Sequence, residues 1–177
     1  MKNKTKNNLL LHITNPTCTL LAKGCVFWLI IIALTACDKN RIYDKFTEIP
    51  QAQWEYSQKM PFEVEIADTL ARYNVYVNVR HNDDYPYSNL WVMLYTYLPS
   101  GKKMESRVNL PLADKEGRWY GNKAMNSAIT HQVLIQENAQ MPETGKYRFE
   151  IEQNMRSNPL TGVMATGIRI ERAPTTP

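Results

Sequence analysis

Tyr73-Asn74-Val75-Tyr76-Val77-Asn78-Val79-Arg80 alternates along its whole length. Tyr73, Val75, Val77 and Val79 fall on one side, and Asn74, Tyr76, Asn78 and Arg80 on the other. A period of two describes a half-buried β-strand, because successive side chains point to opposite faces. The same period opens upstream, where Phe62, Val64 and Ile66 alternate with Glu63 and Glu65. It returns downstream, where Tyr147, Phe149 and Ile151 alternate with Arg148, Glu150 and Glu152.

Between these segments the reading stays β. Leu90 to Leu98 is apolar on both faces, with Leu90, Val92, Leu94 and Leu98 on one side and Trp91, Met93, Tyr95 and Tyr97 on the other. Pro99-Ser100-Gly101 makes a tight turn, and Met104, Ser106, Val108 and Leu110 return as the paired strand, ended by Pro111. Asn82-Asp83-Asp84 is a turn cluster, and Asp114 to Lys123 reads as a loop around Gly117, Trp119 and Gly121. Ser127 to Glu137 fits helix or strand, and its β-branched Ile129, Thr130, Val133 and Ile135 favour strand. Thr144-Gly145-Lys146 forms a turn, and after Asn158-Pro159 and Gly162 a last strand runs through Ile168 and Ile170. Seven or eight short strands without a long helix predict an all-β chain, a single antiparallel β-sandwich of jelly-roll or Ig-like kind. The sandwich is expected over 54–172, with a frayed tail at 173–177.

The N-terminal part obeys different physics. Val26 to Ala36 is an apolar run too short for a spanning helix, which needs about 20 residues. It ends in Leu34-Thr35-Ala36-Cys37, which resembles a bacterial lipobox. Small side chains at Thr35 and Ala36 let the backbone lie extended in a peptidase cleft, and Cys37 supplies a thiolate for diacylation. Residues 1–36 are therefore expected to be a lipoprotein signal peptide, and 37–53 the lipidated cysteine and a tether. The scattered aromatics of 38–60 set the part around Trp54 apart from a pure tether and predict that it docks on the domain.

Removing 1–36 removes Lys2, Lys4, Lys6 and Lys23 and no acid, so 21 basic and 17 acidic residues become 17 of each. A neutral mature chain without a Lys/Arg run has no electrostatic footprint for nucleic acid, and that partner class is excluded. Cys18 and Cys25 leave with the signal and Cys37 is consumed by lipid. No thiol then remains for a disulfide, a thiolate metal site or a nucleophile.

Several phrases of the mature chain resemble the GldH family of gliding-motility lipoproteins: Tyr73-Asn74-Val75-Tyr76-Val77-Asn78-Val79-Arg80, Tyr85-Pro86-Tyr87-Ser88-Asn89-Leu90-Trp91, Gly145-Lys146-Tyr147, Glu152-Gln153-Asn154-Met155-Arg156, Leu160-Thr161-Gly162 and Gly167-Ile168-Arg169-Ile170. The resemblance implies a non-enzymatic cell-envelope lipoprotein of the Bacteroidota group. Such a protein is an accessory or structural component of the gliding apparatus and its associated protein secretion system. Its expected partners are the membrane, through the lipid on Cys37, and envelope proteins of that machinery. The expected location is the periplasmic face of the outer membrane, with the inner membrane and the cell surface as alternatives.

No catalytic residue, metal ligand or cofactor is expected beyond the covalent lipid on Cys37. His81 and His131 are the only histidines of the mature chain, and His81-Asn82-Asp83-Asp84 is better read as a turn bonding its own backbone than as a metal cluster. Gly-x-Ser-x-Gly and phosphate-binding Gly-rich runs are absent from the sequence. Tyr85, Tyr87, Asn89, Trp119 and Arg156 form the candidate interaction surface. Arg156 has outward parity and is open to a partner protein or a nearby acid, whereas Arg80 is expected to pair with the acidic turn beside it. Gln153 shares the inward parity of Tyr147, Phe149 and Ile151, which makes it a structural hydrogen-bond hub. The Trp91, Met93, Tyr95 and Tyr97 face is expected to be covered by the Trp54 region. The alternative is an open sugar-stacking platform, which would make the protein a carbohydrate-binding envelope lipoprotein.

Overall fold

The computed structural model describes residues 40–123 and 127–174. They form eight longer strands and three two-residue ones. In order these are β1 (Arg41–Glu48), β2 (Gln53–Trp54), β3 (Met60–Ile66), β4 (Arg72–His81), β5 (Asn89–Tyr97), β6 (Lys103–Pro111), β7 (Asn122–Lys123), β8 (Ile129–Gln140), β9 (Gly145–Gln153), β10 (Leu160–Thr161) and β11 (Val163–Arg172). One sheet has the order β1-β11-β4-β8-β7 and the other β3-β9-β5-β6, with β10-β2 as a small third ladder. Every pairing is antiparallel. The inward side chains of both large sheets share one continuous hydrophobic cluster, which is the defining feature of a sandwich.

The alternation read in the sequence is the alternation of burial. In β3, Phe62, Val64 and Ile66 are buried and Glu63 and Glu65 exposed; in β4, Tyr73, Val75, Val77 and Val79 face the core. Residues 129–140 are strand, as the β-branched side chains favoured, and Lys103–Pro111 returns against β5 from the Pro99 turn.

The segment expected as tether is the main correction. Arg41–Glu48 is a strand on the edge of the larger sheet, in register with β11 from Arg41↔Glu171 to Glu48↔Ala165. A 3-10 turn at Pro50–Ala52 and β2 follow, and Ile49 is already buried. The domain therefore starts near residue 41 rather than 54. Nothing in β1 itself is fully buried. It is held by a backbone ladder to a strand more than a hundred residues away, a contact that leaves no period in the local sequence. Trp54 lies in the core with no exposed surface, its indole Nε1–H donating to the Gln58 carbonyl at 2.9 Å.

Gly162 locks one end of the sandwich. Its φ of +86° suits glycine, and a Cβ there would fall onto the backbone nitrogen of Tyr85. Its own N–H donates to the Ala52 carbonyl and its carbonyl accepts from the Asn82 amide, so one residue between β10 and β11 ties the 3-10 turn and the β4–β5 turn together.

Candidate functional site

The turn after β4 and the loop 112–121 meet around two imidazoles. β4 ends on inward-facing His81 with no exposed surface, and inward-facing His131 of β8 is 2% exposed. Their Nε2 atoms lie 3.0 Å apart, and His81 Nδ1 is 2.8 Å from the Asn82 carbonyl. A carbonyl only accepts, so His81 carries its proton on Nδ1 and presents a bare Nε2. His131 must then donate from Nε2. Aromatic rings close the cage: Trp119 lies 4.4 Å and Tyr85 5.2 Å from the His81 ring, centroid to centroid. Gly121 completes it, since a Cβ there would stand 2.9 Å from the His131 ring and 2.6 Å from the Thr130 carbonyl.

Burial lowers both imidazole pKa values, because a charged ring would lose its hydration. His131 falls from 6.5 to about 4, with repulsion from His81 as a smaller cause. The pair is thus neutral and turned inward at ordinary pH. Among the described residues no group of three or more His, Cys, Asp or Glu is arranged to hold a metal ion. Asn82, Asp83 and Asp84 behave as a turn, with Asn82 bonded to both the side chain and the backbone of Asp84.

The five expected surface residues separate. Tyr85 is 2% exposed and belongs to the cage, its hydroxyl donating to the Asn89 carbonyl at 2.7 Å; a buried ring cannot serve as surface. Trp119 is half-buried against both histidines. Tyr87 is half-buried and bonded to Ser157, and Asn89 donates to Asn109 at 2.7 Å. Arg156 is exposed, next to Ser157. Tyr85, Tyr87 and Trp119 thus do gather at one end, but the group at their centre is the histidine pair. Its signal was present in the sequence as the inward parity of His131 with Ile129 and of His81 with Val79.

Gln153 is a hub. It has no exposed surface; its Nε2 donates to the carbonyls of Trp54 and Ser157, and its Oε1 accepts from the Met155 amide. Arg80 departs from expectation: it pairs with Glu48 of β1 at 3.5 Å and lies over the Phe46 ring, away from the acidic turn.

The aromatic face of β5 points outward and is neither open nor roofed by the Trp54 region. Side chains of its own sheet cover it. The guanidinium of Arg107 lies 4.2 Å from the Trp91 ring centroid, and the ammonium groups of Lys59 and Lys103 lie 4.3 and 4.5 Å from that of Tyr95. Tyr95 and Tyr97 donate their hydroxyls to Glu152 and Glu150. Lys59 alone comes from the stretch beside Trp54. A sugar stacking here would have to displace cations already seated on the rings.

Cys37, the expected lipid site, lies outside the described residues. Among the described residues no helix is long and apolar enough to cross a membrane. Fold and site together define an antiparallel β-sandwich whose loop end is packed with rings. That class acquires a family from the sequence itself: the profile described as GldH lipoprotein matches residues 41–170, from the first residue of β1 into β11. The chain belongs to the GldH lipoprotein family. It is 30% identical over 155 residues to the gliding motility lipoprotein GldH homolog of Christiangramia forsetii, covering 84% of this chain and 94% of the relative. It is 27% identical over 154 residues to gliding motility lipoprotein GldH of Flavobacterium johnsoniae, covering 83% and 94%. Among solved structures, a carbohydrate-binding module specific for non-crystalline cellulose is similar with a TM-score of 0.42 and 10% identity, over 74% of this chain and 73% of the module.

Proposed function

We propose that this chain is a non-enzymatic accessory or structural component of a gliding-motility apparatus and of the protein secretion system associated with it. The observation that carries the reading is the extent of the family match, which covers the sandwich from β1 into β11 rather than one motif. Both curated relatives are named for gliding motility. In this reading Cys37 carries the lipid and the domain sits on the periplasmic face of the outer membrane. Two or more acyl chains suffice for stable anchoring at about 0.8 kcal/mol per buried CH₂, so the neutral domain need not bind lipid itself. Its partners are envelope proteins of the machinery.

Deletion of the gene in its host tests the role, with the secreted proteome and colony spreading as readouts. The expected result is loss of secreted cargo, restored by the wild-type gene. An unchanged secretome and unchanged spreading would overturn the role. A Cys37→Ala protein tests the anchor. It should leave the outer-membrane fraction, while the wild-type domain should resist protease added to intact cells.

A further inference from the structure

The outer face of the five-stranded sheet carries a groove of about 610 Å³, bordered by His131 and Gly121 of the histidine cage, that the family role does not use. Its floor follows one outward register row: Phe46 of β1 pairs with Gly167 of β11, Gly167 with Asn78 of β4, and Asn78 with Gln132 of β8. Gly167 contributes no side chain, so Phe46 and Asn78 face one another across a bare position. Leu134 and Tyr120 form the rim.

Three features mark a built site. First, Asn78 is 3% exposed, and its Oδ1 is the one buried side-chain polar atom among the described residues with no hydrogen-bond partner. Its orientation is fixed, because Nδ2 donates at 3.0 Å to Asp44 Oδ1, and a carboxylate only accepts. A buried acceptor left unpaired is destabilising, so a ligand donor that reaches it makes a bond the protein itself leaves unmade. Second, Tyr120 at 64% and Leu134 at 42% exposure are two of the few large apolar side chains left in solvent, and both line this one groove. Third, the backbone that carries Tyr120 is held in place. Its amide donates to the Leu112 carbonyl at 2.9 Å, and the next residue, Gly121, packs against Thr130 and His131.

The chemistry of the lining selects the ligand. Asp44 is the groove's only carboxylate, and it is already engaged by Arg169 and Asn78. The remaining polar groups are neutral: the amides of Asn78, Asn122 and Gln132, the Thr130 hydroxyl and the uncharged imidazole of His131, set beside the rings of Phe46 and Tyr120. A neutral groove with amides and the Phe46 ring on its floor and Tyr120 and Leu134 at its rim fits a ligand with a C–H-rich face and a hydroxyl or amide edge. A pyranose has both. We propose that this groove binds a short neutral oligosaccharide, with Tyr120 and Leu134 against the ring face and Asn78 and Gln132 taking its hydroxyl or N-acetyl groups. The site is on the opposite sheet from the β5 aromatics, whose rings are already covered.

The test is titration of the full-length lipoprotein in detergent with neutral chito- and cello-oligosaccharides, followed by calorimetry and by tyrosine fluorescence. Saturable binding is expected for at least one series. Tyr120→Ala should weaken it about tenfold, equivalent to about 1.4 kcal/mol, with an unchanged thermal melt. Tyr120→Phe should retain it, and Gln132→Ala should weaken it without unfolding risk at the buried Asn78. Absence of saturation by either series up to the solubility limit would overturn the proposal. So would equal binding by Tyr120→Ala, or saturation of the groove by neutral peptides while the glycans fail.

Discussion

Acid should destabilise this domain through one pair of rings. His131 is 2% exposed, and its folded pKa of about 4 lies well below the ordinary 6.5 because burial strips a charged imidazole of water. The unfolded chain takes up its proton near 6.5 while the native state refuses it until about 4. The contribution to stability is therefore full above pH 6.5, declines as pH falls through this window, and is gone below about 4. At about 1.4 kcal/mol per tenfold change in proton affinity, the window is worth roughly 3 kcal/mol. His81 is shifted in the same direction and adds to it. Against the roughly 5–15 kcal/mol typical of a folded domain, the melting temperature should fall by about 10 °C from this cause. The geometry sets a second condition. His81 Nε2 accepts from His131 Nε2, so a single proton added to His81 would place N–H against N–H at 3.0 Å. The assay is urea unfolding from pH 7.5 to 4.5 for the wild type and for His131→Gln, which cannot titrate. Carboxylates common to both proteins cancel in the difference. The wild type should lose stability more steeply between pH 6.5 and 4.5, by up to about 3 kcal/mol. Parallel curves, or an NMR titration of His131 centred near 6.5, would refute the reasoning.

Three further outcomes follow from the packing. Trp54→Ala should cost about 3–5 kcal/mol in chemical denaturation, because a fully buried indole and its bond to Gln58 are both lost; a cost under about 1 kcal/mol would mean that the β2 segment is not part of the core. Gly162→Ala should cost more than about 2 kcal/mol, since the left-handed backbone disfavours a side chain and the new Cβ meets Tyr85. Amide exchange should then quicken first in the β4–β5 turn. Gln153→Leu, similar in size, should cost roughly 2 kcal/mol or more by stranding the Trp54 and Ser157 carbonyls and the Met155 amide. A neutral effect on the urea midpoint would remove Gln153 from its role as hub.

The parts of the fold legible in the sequence are those where burial imposes a period. Val75, Val77 and Val79 announce their strand because every second side chain enters one core, and Gln153 could be placed inward by the same parity. β1 escaped because an edge strand bonded to β11 buries little of its own, and its register shift between Arg41 and Tyr43 breaks the alternation further. The histidine pair lay half in view: parity turned His81 and His131 inward, but only the β4–β8 register brings Val79 opposite His131 and closes the rings together. The β5 aromatics show a different limit. Their outward direction was legible, yet their cover comes from Lys59, Lys103 and Arg107, long side chains whose resting place depends on neighbouring strands.

The docking of β1 changes how the domain would bear load. With the lipid proposed at Cys37, only residues 38–40 separate the anchor from Arg41, a leash of roughly 14 Å at full extension. A flexible tether of 38–53 would instead have allowed roughly 55 Å. A tug from the bilayer would therefore enter the protein at the tip of β1 with almost no slack to absorb it. Directed along the strand, that tug would strain all seven β1–β11 register pairs at once, as in a lap joint, rather than peel them one after another. A lipoprotein seated among moving envelope parts would then behave less like a buoy on a rope than like a bracket fixed close to the wall.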